Sequence, residues 1–333
     1  MRIFITGASG FAGGRIAERL AAAGHEVAAM ARSEGSAARV AERGATAVRC
    51  ALGAVDPADL AGVDAIVHAA AKVEDWGEPA DFWRANVDGT RQLVDAAQAA
   101  GVRRFIHIGT EAVLFAGDDL VDVDETRPFP PRHRFPYSET KAAAERLVLA
   151  ANSPAMTTIA LRPRLIWGPG DATVLPELVK MAEAGAYVWL DGGRHRTSTC
   201  HVDNLAAAVE RALVSGRGGE AYFIADDVTS THRDFLSRLA ATRGVDLGRR
   251  SLPGALVRPL AGGVEGLWRV LRRGRKPPLT RFAISMLSRT VTVSTAKAEA
   301  ELGYRPVVTV DAGLAALRGG SAAASGGAAH SQA

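Results

Sequence analysis

Three glycines at three-residue spacing, Gly7, Gly10 and Gly13, follow the short apolar run Ile3-Phe4-Ile5 and open directly into an apolar pattern of helical period. A strand that turns through glycine straight into a helix is the opening unit of a parallel α/β sheet. Gly7 permits the tight turn, Gly10 lets the backbone approach a pyrophosphate, and Gly13 allows helix and strand to pack closely. The N–H groups at the helix start are left for the anion. The turn therefore predicts a dinucleotide cradle. Its spacing is GxxGxxG, and because a glycine trio alone is a weak motif, the weight rests on the strand and helix signals beside it.

The pattern continues as an alternation. Arg2–Ile5, Glu26–Ala31, Thr46–Cys50, Ala65–Ala69, Arg104–Ile108 and Thr157–Leu161 are short, almost wholly apolar runs, as expected of strands covered on both faces. Between them lie helical patterns, the longest at Phe11–Ala23, Asp81–Ala100 and Tyr137–Ala151. The fold class predicted is α/β: a Rossmann-type, doubly wound parallel sheet with a smaller, mainly helical substrate-capping region. The dinucleotide-binding domain spans 1–164, and the chain returns to it at about 197–226. The cap takes 165–196 and 227–318. The Gly/Ser/Ala-rich tail, 319–333, reads as disordered.

At 333 residues, 47% hydrophobic and 23% charged, the chain has the composition of an ordinary soluble protein and predicts a cytoplasmic location. The most apolar long stretch, Leu252 to Leu271, is interrupted by Pro253, Arg258, Pro259, Glu265 and Arg269, so no membrane span is expected. Cys50 and Cys200 read as buried thiols of a reducing compartment. The net charge of +4 is concentrated between Arg243 and Arg289, notably in Arg272-Arg273-Gly274-Arg275-Lys276. No interleaved aromatics accompany that cluster, which argues against nucleic acid; a solvated basic face or weak contact with an anionic membrane surface fits it better. His68, His107 and His201 are expected to be structural, and Asp122, Asp124 and Glu125 form a solvated acidic turn, so no metal site is expected.

Tyr137 and Lys141 lie four residues apart on one helix face, a pairing that can transfer protons. A phenol working near neutral pH needs about 4 kcal/mol of preferential phenolate stabilisation, which a neighbouring ammonium and an oxidised nicotinamide could share. Thr110 closes the fifth strand at the carboxyl edge of the sheet, where open α/β folds bind ligands. Its hydroxyl is placed to hold a substrate oxygen beside Tyr137.

At this point the chain resembles the extended short-chain dehydrogenase/reductase family, within the NAD(P)-dependent epimerase/dehydratase superfamily. The ordered motifs are TGxxGxxG at Thr6–Gly13, His68-Ala69-Ala70-Ala71, Asn86-Val87-Asp88-Gly89-Thr90, the Thr110 strand, YxxxK at Tyr137–Lys141, Arg162-Pro163, Trp167-Gly168-Pro169-Gly170-Asp171 and His201-Val202-Asp203-Asn204. Among its branches the chain is most similar to the 3β-hydroxysteroid dehydrogenase and dihydroflavonol-reductase-like enzymes. The resemblance implies that Tyr137 is the general acid or base, that Lys141 binds the nicotinamide ribose and lowers the phenol pKa, that Thr110 positions the carbonyl or alcohol, and that Asn86 supports the proton relay. It also implies a homodimer paired through helices. The cofactor surface expected is Gly7, Ser9, Gly10, Phe11, Ala12, Gly13, Arg32, Ala69, Ala70, Ala71, Tyr137, Lys141 and Pro163.

Charge decides the expected cofactor. The second strand ends without a carboxylate for the adenosine ribose hydroxyls, and Arg32 follows, which favours NADP(H) over NAD(H). After the third strand, where the family often has an acidic residue, this chain has Ala51-Leu52. The substrate surface expected is Trp76, Glu111, Ala112, Leu114, Trp167 and Arg164, with aromatic side chains suited to a bulky apolar, steroid- or flavonoid-like molecule. The function expected is interconversion of a secondary alcohol and a ketone. Two alternatives stay open: a nucleotide-sugar epimerase or dehydratase, in which Arg162, Arg164, Arg194 and Arg196 would hold a pyrophosphate, and a non-catalytic NADP-sensing protein.

Overall fold

The computed structural model describes residues 1–271, 276–277 and 280–326, with side chains to Gly319. Seven parallel strands form its central sheet: β1 Arg2–Thr6, β2 Glu26–Met30, β3 Thr46–Val48, β4 Ala65–His68, β5 Arg104–Ile108, β6 Thr157–Pro163 and β7 Glu220–Ile224. Their order is β7-β6-β5-β4-β1-β2-β3. Each predicted strand is present, with β6 running two residues further than its apolar core suggests.

Alternation along the strands builds two cores. Ile3, Ile5, Val27, Ala29, Val67 and Ile106 face helices α1 (Phe11–Ala22) and the later helix over Val202–Ala212, while Phe4, Ala28, Ile66 and Phe105 pack with Leu93, Val94 and Ala97 on the opposite face. The last three belong to α2, Gly89–Ala99. The long helix expected over 81–100 is broken in fact: Pro79–Phe82 is α-helical, Trp83–Asp88 widens into a π-turn, and α2 follows. A π-turn of this kind shifts the side chains after it by one position, a feature common at functional sites.

Helix α3, Pro136–Ala150, carries Tyr137 on its first turn, where Pro136 needs no hydrogen-bond partner for its nitrogen. The cap is built from α4 (Val174–Glu183), α5 (His232–Ala241), α6 (Gly254–Leu271) and α7 (Arg281–Leu287). A four-stranded sheet made of Leu120–Val123, Val291–Val293, Arg196–Thr197 and Ser230–Thr231 ties it to the nucleotide half. The expected cap range of 227–318 is therefore too broad. Ala298, Leu302 and Tyr304 pack into the core beside Tyr222 and Ile224 of β7.

Two other expectations change. The final helix runs Val310–Gly326, so the tail is helical through Gly326, with Ala-rich sequence and the burial of Leu314 and Leu317 upstream to propagate it; 327–333 lie outside the described residues. Cys200 is buried, but Cys50 is only half-buried; both thiols are free. Among the described residues no helix is long and apolar enough to cross a membrane. Most of the basic run at 272–275 lies outside the described residues.

Candidate active site

The sheet order reverses at β1, whose neighbours are β4 on one side and β2 on the other. Open α/β sheets bind ligands at such a switch point, beyond the carboxyl ends of the strands. A cavity of about 1420 Å³ lies here, larger than most single-ligand pockets and roomy enough for a dinucleotide and a second molecule.

One end of it is backbone. Gly7 adopts φ +80, and a Cβ there would come within 2.8 Å of the Ala70 nitrogen. A Cβ on Gly13 would sit 2.3 Å from the Gly7 carbonyl oxygen, so only glycine lets α1 start against β1. Gly10 is the N-cap of α1 and supplies no side-chain cap, which leaves first-turn N–H groups for an anion. Gly7, Ser9, Gly10, Phe11, Ala12, Gly13, Arg32, Ala69, Ala70, Ala71 and Pro163 all line the cavity. The residues present therefore fit a dinucleotide.

Thr6, the residue that precedes the glycines, holds the adjoining wall. Its hydroxyl accepts from the Ala70 N–H (3.1 Å) and lies 2.7 Å from His68 Nδ1, while His68 Nε2 is 2.9 Å from the Thr90 hydroxyl. Thr90 donates to the Asn86 carbonyl at 2.6 Å and so must accept from His68, which assigns the proton to Nε2. Burial pushes His68 down to about 3, with the Lys141 charge acting in the same direction, and the ring is neutral. Asn86 is buried behind the wall: Oδ1 accepts from Lys72 N (2.7 Å), and Nδ2 donates to Lys72 O and to Thr140 (3.1 Å each). It pins the Lys72 loop to α3 without lining the cavity.

Tyr137, Thr110, Glu111, Ala112 and Arg164 line the middle. Thr110 donates to Glu111 Oε2 at 2.8 Å, and Arg164 Nη1 donates to Glu111 Oε1 at 2.6 Å. Glu111 and Arg164 are each at most 3% exposed, so the pair is a buried anchor and both carboxylate oxygens are engaged. Burial raises the Tyr137 phenol well above its ordinary range, the Glu111 charge adds to that, and a hydrogen bond with Thr110 opposes it. The Phe282 ring meets the phenol edge-on at 5.6 Å.

Lys141 departs from expectation. Its ammonium donates to the Ile108 carbonyl at 2.7 Å and lies 3.4 Å from His107 Nε2, beneath the cavity wall and not against the phenol. A buried cation must find acceptors, and the end of β5 offers one. Burial pushes Lys141 down to about 8, with the Glu145 carboxylate opposing the shift.

Three expected substrate contacts also lie elsewhere. Trp167 is fully buried, donates from Nε1 to Asp226 (2.7 Å) and packs edge-on against His201 and Phe235. Asp226 also accepts from Thr199, the His201 N–H and Asn204, so these motifs form a folding clamp at this position. Leu114 ends the 3₁₀ turn Glu111–Leu114, whose rotation sends Glu111 and Ala112 to the cavity and Leu114 into the core with Val113 and Phe115. Trp76 lies outside the main cavity, with the Arg269 guanidinium 4.8 Å from its ring centre.

Sequence reasoning missed most of the far wall. Leu178, Met181, Tyr187, Leu190, His232, Val257, Phe282, Ile284 and Leu287 complete it. His232 is 2% exposed and neither ring nitrogen has a partner among the described residues; burial holds it down to about 3. Thr231-His232-Arg233-Asp234 announces a helix start, and nothing in it signals a cavity.

Residues 3–225 match the NAD dependent epimerase/dehydratase family. The chain belongs to that family, as an NAD(P)-dependent enzyme of the extended short-chain dehydrogenase/reductase type acting on hydroxyl and keto groups. It is 41% identical, over 99% of both chains, to the 4-hydroxy-2-methyl-3-oxo-4-farnesyl-3,4-dihydroquinoline-1-oxide ketoreductase of Stigmatella aurantiaca. It is 35% identical to the 2-alkyl-3-oxoalkanoate reductase of Stenotrophomonas maltophilia, over 97% of this chain and all of that one. Among solved structures, dTDP-glucose 4,6-dehydratase of Streptomyces venezuelae with NAD bound shares the fold, with TM-score 0.73, 24% identity and 96% of each chain covered.

Proposed function

We propose that the protein is an NADP(H)-dependent ketoreductase for a bulky apolar substrate, with Tyr137 as its proton donor and, in reverse, its base. The observation that carries this reading is the join between the two ends of the cavity. Thr110 and Tyr137 stand where the glycine-lined end gives way to a wall of Leu178, Met181, Leu190, Val257, Ile284 and Leu287. Bound reduced nicotinamide supplies the hydride. The raised phenol pKa keeps Tyr137 protonated at neutral pH, ready to hand its proton to a carbonyl oxygen. Thr110 orients that oxygen once its proton turns from Glu111 to the substrate, and Lys141, bonded to the Ile108 carbonyl beneath the wall, braces the end of β5 under the site. Names of relatives that act on a farnesylated quinoline and on alkyl oxoalkanoates support the substrate class.

The preference for NADP(H) rests on Arg32, which is exposed and lines the nucleotide end. The carboxylates that line the cavity are Glu74, Asp81, Glu111 and Glu177, none of them at the end of β2. A nucleotide-sugar substrate is disfavoured by the arginines. Arg162 is buried on Glu145, Arg164 is neutralised by Glu111, and Arg194 and Arg196 do not line the cavity.

The test is a titration with NADP(H) and NAD(H), then a panel of long-chain β-keto acids, prenylated quinoline ketones and hydroxysteroids followed at the nicotinamide absorbance. Net oxidation of NADPH by at least one lipophilic ketone is expected. A cofactor that co-purifies and cycles without net change on nucleotide sugars would overturn the reading, and tight cofactor binding with no turnover on either class would favour the sensor.

A further inference from the structure

Polar groups buried in a protein are as a rule hydrogen-bonded, and each exception asks for a reason. Among the described residues that bury a side-chain nitrogen or oxygen without a hydrogen-bond partner, only Arg164 and His232 line the cavity. Arg164 follows β6 directly and gives Nη1 to Glu111, but its Nε–H is unpartnered. His232 is the first residue of α5, its backbone N–H tied to the His195 carbonyl at 2.9 Å, and both of its ring nitrogens are unpartnered. The Arg289 and Met286 backbones stand beside the ring without reaching hydrogen-bond geometry. Burial first and the Arg164 charge second hold the imidazole neutral, so the two side chains are neighbours. Two segments distant in sequence thus bring unpartnered nitrogens to one place in the cavity wall.

Chemistry narrows what completes them. Arg164 Nε only donates, and a neutral imidazole donates from one of its nitrogens. A carbonyl oxygen, with two lone pairs, accepts from both. The Arg164 charge is already matched by Glu111 and His232 carries none, so the pair adds no net charge for an anion. Glu111 takes the Thr110 hydroxyl on its other oxygen, which sets Arg164 one carboxylate away from Thr110. An oxygen held at Arg164 and one held at Thr110 are therefore spanned by a few carbon atoms.

We propose that Arg164 Nε and His232 bind a second, uncharged carbonyl oxygen of the substrate, so that the preferred ketones are β-keto esters and amides. This rests on the proposed reduction at Tyr137 and narrows its substrate class. Around His232 the wall is otherwise apolar, with Tyr187, Leu190, Leu236 and Leu287. A ketone lacking the second oxygen leaves two buried N–H groups unbonded, which is how a site of this kind discriminates.

Binding is measured by calorimetry on the full-length protein with NADP+ present, where no reduction occurs. The probes are methyl β-ketolaurate, the ketone of equal length with methylenes in place of its ester group, and β-ketolauric acid. The ester should bind about tenfold more tightly than the ketone and no less tightly than the acid. His232→Leu, of similar volume, should reduce that preference to about twofold or less while its urea midpoint stays level or rises, because an unbonded polar group leaves the interior. His232→Gln keeps a donor and should restore part of the preference. Equal binding of ester and ketone by the wild type overturns the proposal. So does tighter binding of the acid, or a full preference kept by His232→Leu. A lowered urea midpoint in His232→Leu would assign the ring to the Arg289 or Met286 backbone and overturn it as well. The reduction is read separately with NADPH: preferential binding of the ester without turnover of either ketone removes the Tyr137 chemistry and leaves this site in place.

Discussion

At one end the cavity wall is backbone: Gly7, Gly10 and Gly13 present peptide groups to the cavity, and the chain after a neighbouring strand packs against them. At the other end it is side chains, gathered from α4, α5, α6, α7 and the stretch before Leu190. A backbone site depends on residues being absent, because any Cβ would fill it. A side-chain site depends on what several distant segments bring together. The first tolerates almost no substitution, and the second can be repacked for a new substrate without disturbing the sheet.

The largest expected effect lies where the two ends meet. Tyr137→Phe should lower turnover about a thousandfold while leaving the NADP(H) dissociation constant nearly unchanged. Wild-type rates in that variant would remove Tyr137 from the chemistry. At the backbone end, Gly13→Ala should weaken cofactor binding about a hundredfold, since the turn must open to admit a Cβ now 2.3 Å from an oxygen; a fluorescence titration reads it. Binding unchanged by the methyl would mean that the turn is more pliant than its contacts imply.

Arg32→Asp should shift preference from NADP(H) towards NAD(H) about tenfold, and equal weakening of both cofactors would defeat the charge argument. Trp167→Phe separates core from substrate wall. Loss of the bond to Asp226 should cost about 1–3 kcal/mol in urea unfolding and leave KM unaltered. A KM change without a stability change would return Trp167 to the substrate surface.

The smallest effect is a pH slope. His68 stays neutral in the fold down to about 3, while in the unfolded chain the imidazole takes a proton below its ordinary 6.5. The unfolded state therefore binds more protons in that window, and stability falls as the pH drops from 6.5 towards 3. His68→Asn should flatten this slope. An unchanged slope would mean that the Thr6–His68–Thr90 chain does not hold the ring neutral.

The sheet was readable because its rules are local. Ile3-Phe4-Ile5 alternates between two cores whatever follows, and the glycine turn must come where a strand becomes a helix. The middle of the site was readable in part: Tyr137, Thr110 and Glu111 reach the cavity because helix start and strand end fix their direction, but the 3₁₀ turn that removes Leu114 could not be foreseen. Lys141 shares a helix face with Tyr137 as its spacing requires, yet its long side chain turns to the Ile108 carbonyl.

The sequence alone thus determined the parallel sheet, the cradle built at Gly7 to Gly13 and the position of Tyr137 beside it, since each follows from neighbours within a few residues. The tertiary structure alone decided that Trp167 is a folding clamp, that Trp76 stands outside the cavity, and that His232 enters it. These depend on which faces of separate helices meet across the sheet edge, and burial and contact over hundreds of residues leave no mark on local spacing.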